Sequence, residues 1–276
     1  MDPIRRAVAE FSEAVARPEE RVDLVDAALR IAGLEYPGLD RAAHTARLEQ
    51  MGHDAAHVCT APPVIERLRR LSRLLYEEWG FHGNVREFHD PRNSYLNEVL
   101  DRRTGIPITL ALVYIRTGAG AGLALHGVGM PGRFLVGAAE IPGLYIDPFS
   151  RGEILDAAAC ERLFRAGRSG EPFTPAHLRE CGPRPFLMRM LNNLFGIFLN
   201  TGDLARAGAV VEMQRAVDAD DPEPLRRRVL VHRAAGNFIA AHDDLKSYLA
   251  VRPGASDAAS LHRQLELLGR LRQSIH

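Results

Sequence analysis

The stretch Asp90-Pro91-Arg92-Asn93-Ser94-Tyr95-Leu96-Asn97-Glu98-Val99-Leu100-Asp101-Arg102-Arg103-Thr104-Gly105-Ile106-Pro107-Ile108-Thr109-Leu110 decides how the rest of the chain is read. Asn93-Ser94 supplies helix-start chemistry ahead of Tyr95–Leu100, since short polar side chains accept from the free N–H groups of a first turn. Pro107 suits a first helical position, where its missing N–H costs nothing and its fixed φ is already helical. From Pro107 to Ile115 the residues are apolar on nearly every side, which predicts a central, buried helix. Gly118-Ala119-Gly120-Ala121-Gly122 reads as the break that ends it.

On the C-terminal side of that helix, Leu123–Val128, Arg133-Phe134-Leu135-Val136 and Leu144-Tyr145-Ile146 are short strand-like runs. Gly127, Gly129, Pro131, Gly132 and Gly143 punctuate them as turns. A buried helix followed by a small antiparallel sheet is an α+β arrangement. On the N-terminal side the pattern is helical. Val22, Leu24, Val25, Ala28, Leu29 and Ile31 cluster on a mostly buried helix with Gly33 as its cap. A second helix opens after Pro62-Pro63 and spaces Val64, Leu68, Leu71, Leu75 and Trp79 by three or four, with Gly80 closing it.

From Arg184 the pattern returns to helices and carries a weak repeat. Thr201-Gly202-Asp203-Leu204-Ala205-Arg206-Ala207 aligns with Ala235-Gly236-Asn237-Phe238-Ile239-Ala240-Ala241, and the two glycines lie 34 residues apart, the tetratricopeptide period. Pro253 falls where that repeat usually ends; the first copy is less regular. Helix pairs of this kind bury their faces only by stacking, so two copies are expected to lean on the preceding region. The expected domains are a helical region 1–80, an α+β core 81–183 and a helical tail 184–276.

Composition sets the remaining bounds. The 276 residues are 46% hydrophobic and 25% charged, enough to bury a real core. Lys plus Arg and Asp plus Glu both total 35, so no global field draws the chain to nucleic acid or an anionic membrane. Cys59, Cys160 and Cys181 are scattered and odd in number, without a disulfide framework or zinc knuckle. The start, Met1-Asp2-Pro3-Ile4-Arg5-Arg6, lacks the apolar run of a secretory signal, and no stretch is long and apolar enough for a membrane span. A cytoplasmic address is the expectation.

The Asp90–Leu110 block, followed in order by Gly127-Val128-Gly129-Met130-Pro131-Gly132 and Ile146-Asp147-Pro148-Phe149, resembles the SirB1 family of transglutaminase-like proteins. The tail, including Leu187-Met188-Arg189-Met190-Leu191-Asn192-Asn193-Leu194, is also similar to that family's tail. The resemblance implies a papain-like transglutaminase core flanked by helices, with a tetratricopeptide-like C-terminus. The chemistry it implies is a cysteine at the start of the central helix, then a histidine and an aspartate on neighbouring strands. A thiolate is activated by the helix N-terminus and an adjacent imidazolium, while the carboxylate fixes the imidazole.

Mapped onto this chain, that set is incomplete. The central helix opens Pro107-Ile108-Thr109 with no cysteine, Arg133 stands where similar proteins carry histidine, and Asp147 holds the third position. A guanidinium stays protonated and cannot act as a base, but it can pair with Asp147, bidentately if the two forks align. Thr109 without a base is a poor nucleophile, and its plainer role is a helix-start residue bonding to backbone. The expectation is therefore a non-catalytic protein-binding or scaffold module with no cofactor, taking a protein or peptide partner through the tail or the old cleft. The alternative is an acyl-transfer or peptidase-like enzyme built from Thr109, His126 and Asp147. His53, His57 and Cys59 have spacing that suggests zinc, but no glutamate follows His53 and the proline pair marks a loop edge. His82 and His89 carry little signal, and the basic residues of the tail are offset by acids.

Overall fold

The computed structural model describes residues 1–60, 63–167 and 171–273. Pro62 and the last three residues of the expected tail lie outside the described residues. Along the chain run α1 (Pro3–Val15), α2 (Leu24–Ile31), α3 (Arg41–Val58), α4 (Val64–Arg73, continued by a π-helical turn Leu74–Glu78), β1 (His82–Gly83), α5 (Leu96–Arg102), β2 (Thr104–Gly105) and α6 (Pro107–Gly120). There follow β3 (Leu125–Val128), β4 (Leu135–Ala138), β5 (Leu144–Asp147), β6 (Glu153–Asp156), α7 (Ala157–Gly167) and β7 (Glu180–Cys181). The helices α8 (Pro183–Thr201), α9 (Leu204–Val217), α10 (Glu223–Ala234), α11 (Phe238–Val251) and α12 (Ala258–Gln273) complete the chain. Two compact units result: Arg17–Met190, and Met1–Ala16 together with the chain from Leu191 onward.

In the first unit α6 is the central helix. Ile108 and Leu110–Tyr114 are all buried, as an all-round apolar sequence requires. Burial of each large side chain contributes roughly 1.5–3 kcal/mol. The sheet is antiparallel throughout, in the order β6-β5-β4-β3-β7, and α6 packs on β3 and β4. The other side is covered by α7, whose Cys160 and Phe164 join Val128, Met130, Leu135 and Leu155 in one apolar cluster. The helix-rich α+β class expected from the sequence is the one observed.

Several local readings change. The glycine-rich run does not end α6 at its start: Gly118 and Gly120 are helical, and the turn comes at Gly122, with φ 72°. The reason is a helix crossing. A Cβ built on Gly120 would lie 2.4 Å from the Gly52 Cα, so the bare backbones let α3 and α6 touch. Gly33 is not a cap either; it sits inside a 3₁₀ turn, Ala32–Leu34. At the other end Asp23 starts α2, its carboxylate accepting from the Val25 and Asp26 N–H groups. Asn93-Ser94 likewise does not cap α5, which begins after Tyr95 without a side-chain cap. Arg133 and Phe134 precede β4 rather than opening it. The strands β6 and β7, the helix α7 and a two-residue parallel pairing of β1 with β2 were not read from the sequence.

In the second unit α1 packs on α9, and α10, α11 and α12 share a core of Val229, Ala241, Leu245, Tyr248, Leu249, Leu261 and Leu268. The two aligned segments fold alike. Gly202 and Gly236 take φ of 77° and 72° between helices, a left-handed turn that glycine adopts without strain. The next residue caps each following helix: Asp203 accepts from the Arg206 N–H at 3.0 Å, Asn237 from the Ala240 N–H at 3.2 Å.

Candidate functional site

The carboxylate of Asp147 ends β5 and is almost wholly enclosed, 1% exposed. It accepts from the backbone N–H of Phe149 at 2.9 Å and of Ser150 at 3.2 Å, and from the Ser150 hydroxyl at 3.0 Å. Its remaining partner is Arg133, whose Nη1 lies 2.5 Å from Oδ2. The contact is made through one guanidinium nitrogen rather than the fork pairing considered from the sequence, and the Arg133 side chain stays 33% exposed. A buried carboxylate with four donors is fully satisfied and held in one orientation.

Arg133 owes its place to its own backbone. Its N–H closes a turn onto the Met130 carbonyl at 3.0 Å. Arg189 then braces that turn, donating to the carbonyls of Gly129 at 3.1 Å and Arg133 at 2.8 Å, with its guanidinium over the Phe134 ring. In the sequence Arg189 stands among the basic residues of the tail and in the segment similar to the SirB1 tail, and neither reading assigns it this partner. An arginine flanked by Leu187, Met188 and Met190 in a buried helical run was the available signal, because such a cation needs partners.

Thr109 sits in the first turn of α6 and is fully buried. Its Oγ1 accepts from the Ile106 N–H at 3.1 Å and donates to the Asn93 carbonyl at 2.8 Å. This is helix-start bonding to backbone, with the hydroxyl proton directed at a carbonyl. Asn93 emerges as the organiser of this corner: its amide also donates to the Glu87 carbonyl at 2.7 Å and accepts from Asn84 at 3.2 Å. The loop from Asn84 to Phe88 is thereby tied to the start of α6.

His126 lies on β3 opposite Gly137, against whose backbone its ring rests. Asp147 is two strands and two residues away in the register, which puts the two Cα atoms roughly 12 Å apart from strand spacing alone. The structure therefore brings Arg133 and Asp147 together, and neither His126 nor Thr109 makes a hydrogen bond to either. Next to the site are two buried tyrosines. Tyr76 and Tyr114 stack with centroids 6.3 Å apart, and the Tyr114 hydroxyl reaches Ser72 at 3.0 Å and the Leu68 carbonyl at 3.2 Å. Burial raises the phenol of Tyr76 well above its ordinary value, with Tyr114 and Asp147 adding to the shift. Burial does the same to Tyr114.

His53 and His57 are exposed on α3, one turn apart, while Cys59 is buried just past its end. Among the described residues no group of three or more His, Cys, Asp or Glu is placed to hold a metal. His82 is exposed and reaches Thr104 at 3.2 Å, across the β1–β2 pairing. Among the described residues no helix is long and apolar enough to cross a membrane.

A model of the transglutaminase-like superfamily matches residues 42–192, and a tetratricopeptide-repeat model matches residues 194–266. A UPF0162 protein of Xylella fastidiosa (strain Temecula1) is 33% identical over 267 residues, 94% of each chain. A UPF0162 protein of Vibrio cholerae is 28% identical over 207 residues, covering 73% of this chain and 76% of that one. Human F-box only protein 21 is 30% identical over 139 residues, 47% of this chain but 21% of that protein. No solved structure matches the chain. Over half the chain fits the first model and nearly all of it aligns with a bacterial relative, so the chain belongs to the transglutaminase-like superfamily, as a UPF0162 protein with C-terminal tetratricopeptide repeats.

Proposed function

We propose that this protein is a SirB1-type transglutaminase-like chain that binds a protein or peptide partner in the cytoplasm and does not catalyse acyl transfer. The observation that carries the reading is the Arg133–Asp147 ion pair. The carboxylate that would orient a catalytic imidazole instead holds a guanidinium, which stays protonated and takes no proton from a nucleophile. Thr109 supports the same reading, since its hydroxyl is already engaged by the Ile106 N–H and the Asn93 carbonyl. Stacked helical repeats offer surfaces to extended segments, and the likeness of about half of this chain to part of F-box only protein 21 fits a portable module.

The test is incorporation of a fluorescent primary amine into a glutamine-rich protein, run beside hydrolysis of a peptide amide. The unmodified protein is expected to give background rates in both. Ile108→Cys or Thr109→Cys combined with Arg133→His rebuilds nucleophile and base together, and its thiol is expected to react with iodoacetamide faster than an exposed control cysteine. Turnover by the unmodified protein that disappears in Thr109→Ala would refute the proposal and favour the enzyme built from Thr109, His126 and Asp147.

A further inference from the structure

Three consecutive arginines on α10 have different fates. Arg226 is paired with Asp257 at 2.6 Å. Arg228 holds Asp244 through two nitrogens, at 2.8 and 2.6 Å, with Glu212 at 3.5 Å. Arg227 between them has no ion pair or hydrogen bond among the described residues, and its Nη1 is enclosed without a partner. Its guanidinium lies over the ring of Phe195 on α8, 5.8 Å from the centroid. Asp221 and Glu223 are the nearby carboxylates, but each is engaged elsewhere: Asp221 accepts from the Glu223 N–H, and Glu223 from the Tyr248 hydroxyl. Burial pulls the Arg227 guanidinium below its ordinary value, outweighing the attraction of Asp221 and Glu223, so the hydration it has lost is only partly compensated.

An unpaired, half-buried cation lowers stability, and a sequence that satisfies the arginines on either side has not satisfied this one. One turn along the same helix Leu230 is 39% exposed. Cation and apolar side chain three residues apart share a helix face. We propose that Arg227, seated on Phe195, anchors a carboxylate of a partner peptide, with Leu230 receiving an apolar side chain next to that acid. This rests on the protein-binding reading above and deepens it by naming the chemistry of the partner. The incoming carboxylate gains a charge-assisted pair whose desolvation on the protein side is already partly spent.

The experiment uses the full chain and fluorescein-labelled hexapeptides alternating Leu with Asp or Glu, as free acid and as C-terminal amide, beside the same peptide with Asn and Gln. The wild type is expected to prefer the acidic peptides over the Asn/Gln peptide by about tenfold or more in Kd, the scale of one charge-assisted pair. Arg227→Gln should abolish that preference, Arg227→Lys should retain part of it, and Arg69→Gln on α4 of the other unit should leave it intact. Loss of binding by the amide alone assigns the site to a chain-terminal carboxylate; equal binding of acid and amide assigns it to side-chain carboxylates. Because the pairing is absent in the free protein, Arg227→Gln should leave the melting temperature unchanged or raise it. Acid preference surviving in Arg227→Gln, equal binding of acidic and Asn/Gln peptides, or no binding of any peptide at about 1 mM would each overturn the assignment. None of these outcomes touches the protein-binding reading, which amine transfer by the unmodified protein would remove instead.

Discussion

Truncating Arg133 to alanine isolates what the ion pair contributes. Asp147 is 1% exposed, so its charge cannot be rehydrated where it stands. Breaking a fully buried pair costs about 3–5 kcal/mol. Two features reduce that figure here. Arg133 is 33% exposed, so its own charge was only partly desolvated, and water can enter the space it vacates. Three donors also remain on the carboxylate, from the backbone of Phe149 and from Ser150 twice. A loss of about 2 kcal/mol is the reasoned value. For a cooperative unit the size of Arg17–Met190 this lowers Tm by about 4–8 °C. Differential scanning fluorimetry on Arg133→Ala, Asp147→Ala and the double variant supplies the cycle. The double variant should recover at least about 1 kcal/mol relative to the sum of the single changes, because neither charge is then stranded. Strict additivity, or a drop below about 1 °C in Arg133→Ala, would show that the carboxylate is held by Ser150 and the backbone alone.

Other outcomes follow from the packing and the thiols. Gly120→Ala should cost about 1–3 kcal/mol, because its methyl group would meet the Gly52 backbone and force α3 from α6; thermal melting reads it directly. Gly236→Ala should cost about 1 kcal/mol through its left-handed φ of 72°, seen in the same scan. Thr109→Val removes a buried hydroxyl from the Ile106 N–H and the Asn93 carbonyl and should cost about 1–3 kcal/mol without altering any enzymatic rate. Burial pushes the thiols of Cys160 and Cys181 up to about 11 and also raises Cys59, so thiol labelling of the native protein at pH 8 should be slow and should accelerate on unfolding. Since these folded values lie above the unfolded one of about 8.5, the neutral thiols contribute stability that is present below that pH. It is lost as pH rises through about 11, and alkaline denaturation curves of Cys→Ser variants would show it.

The global features were legible because they rest on periodicity. The largely apolar run Ile108–Tyr114, opened by Pro107 at a first helical position, reads as a buried helix, and the 34-residue spacing of Gly202 and Gly236 marks a repeated turn whose φ the structure supplies. What stayed hidden depends on partners distant in sequence. Asn93 looks like a cap, yet it turns its amide towards the Glu87 and Phe88 carbonyls and leaves its own carbonyl to Thr109. Gly120 looks like a helix breaker until Gly52, 68 positions earlier in the chain, is found against it. The strand β6 and the helix α7 are short and weakly patterned, and tertiary packing of Leu155, Cys160 and Phe164 defines them more than local propensity does. In the site, the residue types at 133 and 147 foretold an attraction, but only the fold could set its geometry to a single nitrogen.

Arg133 and Arg227 carry the same guanidinium, and their surroundings predict effects of opposite sign. Arg133 is matched by a carboxylate that three other donors already fix, so its removal strands a charge and must destabilise. Arg227 has no hydrogen-bonded carboxylate, only the longer-range pull of Asp221 and Glu223 and an aromatic face, which is worth at most about 0.5–2 kcal/mol and does not replace lost hydration. Replacing it with the similarly shaped methionine, Arg227→Met, exchanges a poorly compensated charge for an apolar chain over Phe195 and should raise the Tm of its unit by about 4–8 °C if the gain is near 1 kcal/mol. A residue kept for stability cannot behave that way, whereas one kept for a ligand can. Should Arg227→Met instead lower Tm by as much as Arg133→Ala, the arginine would be a structural strut of α8 and α10, and the argument for a carboxylate partner would lose its physical basis.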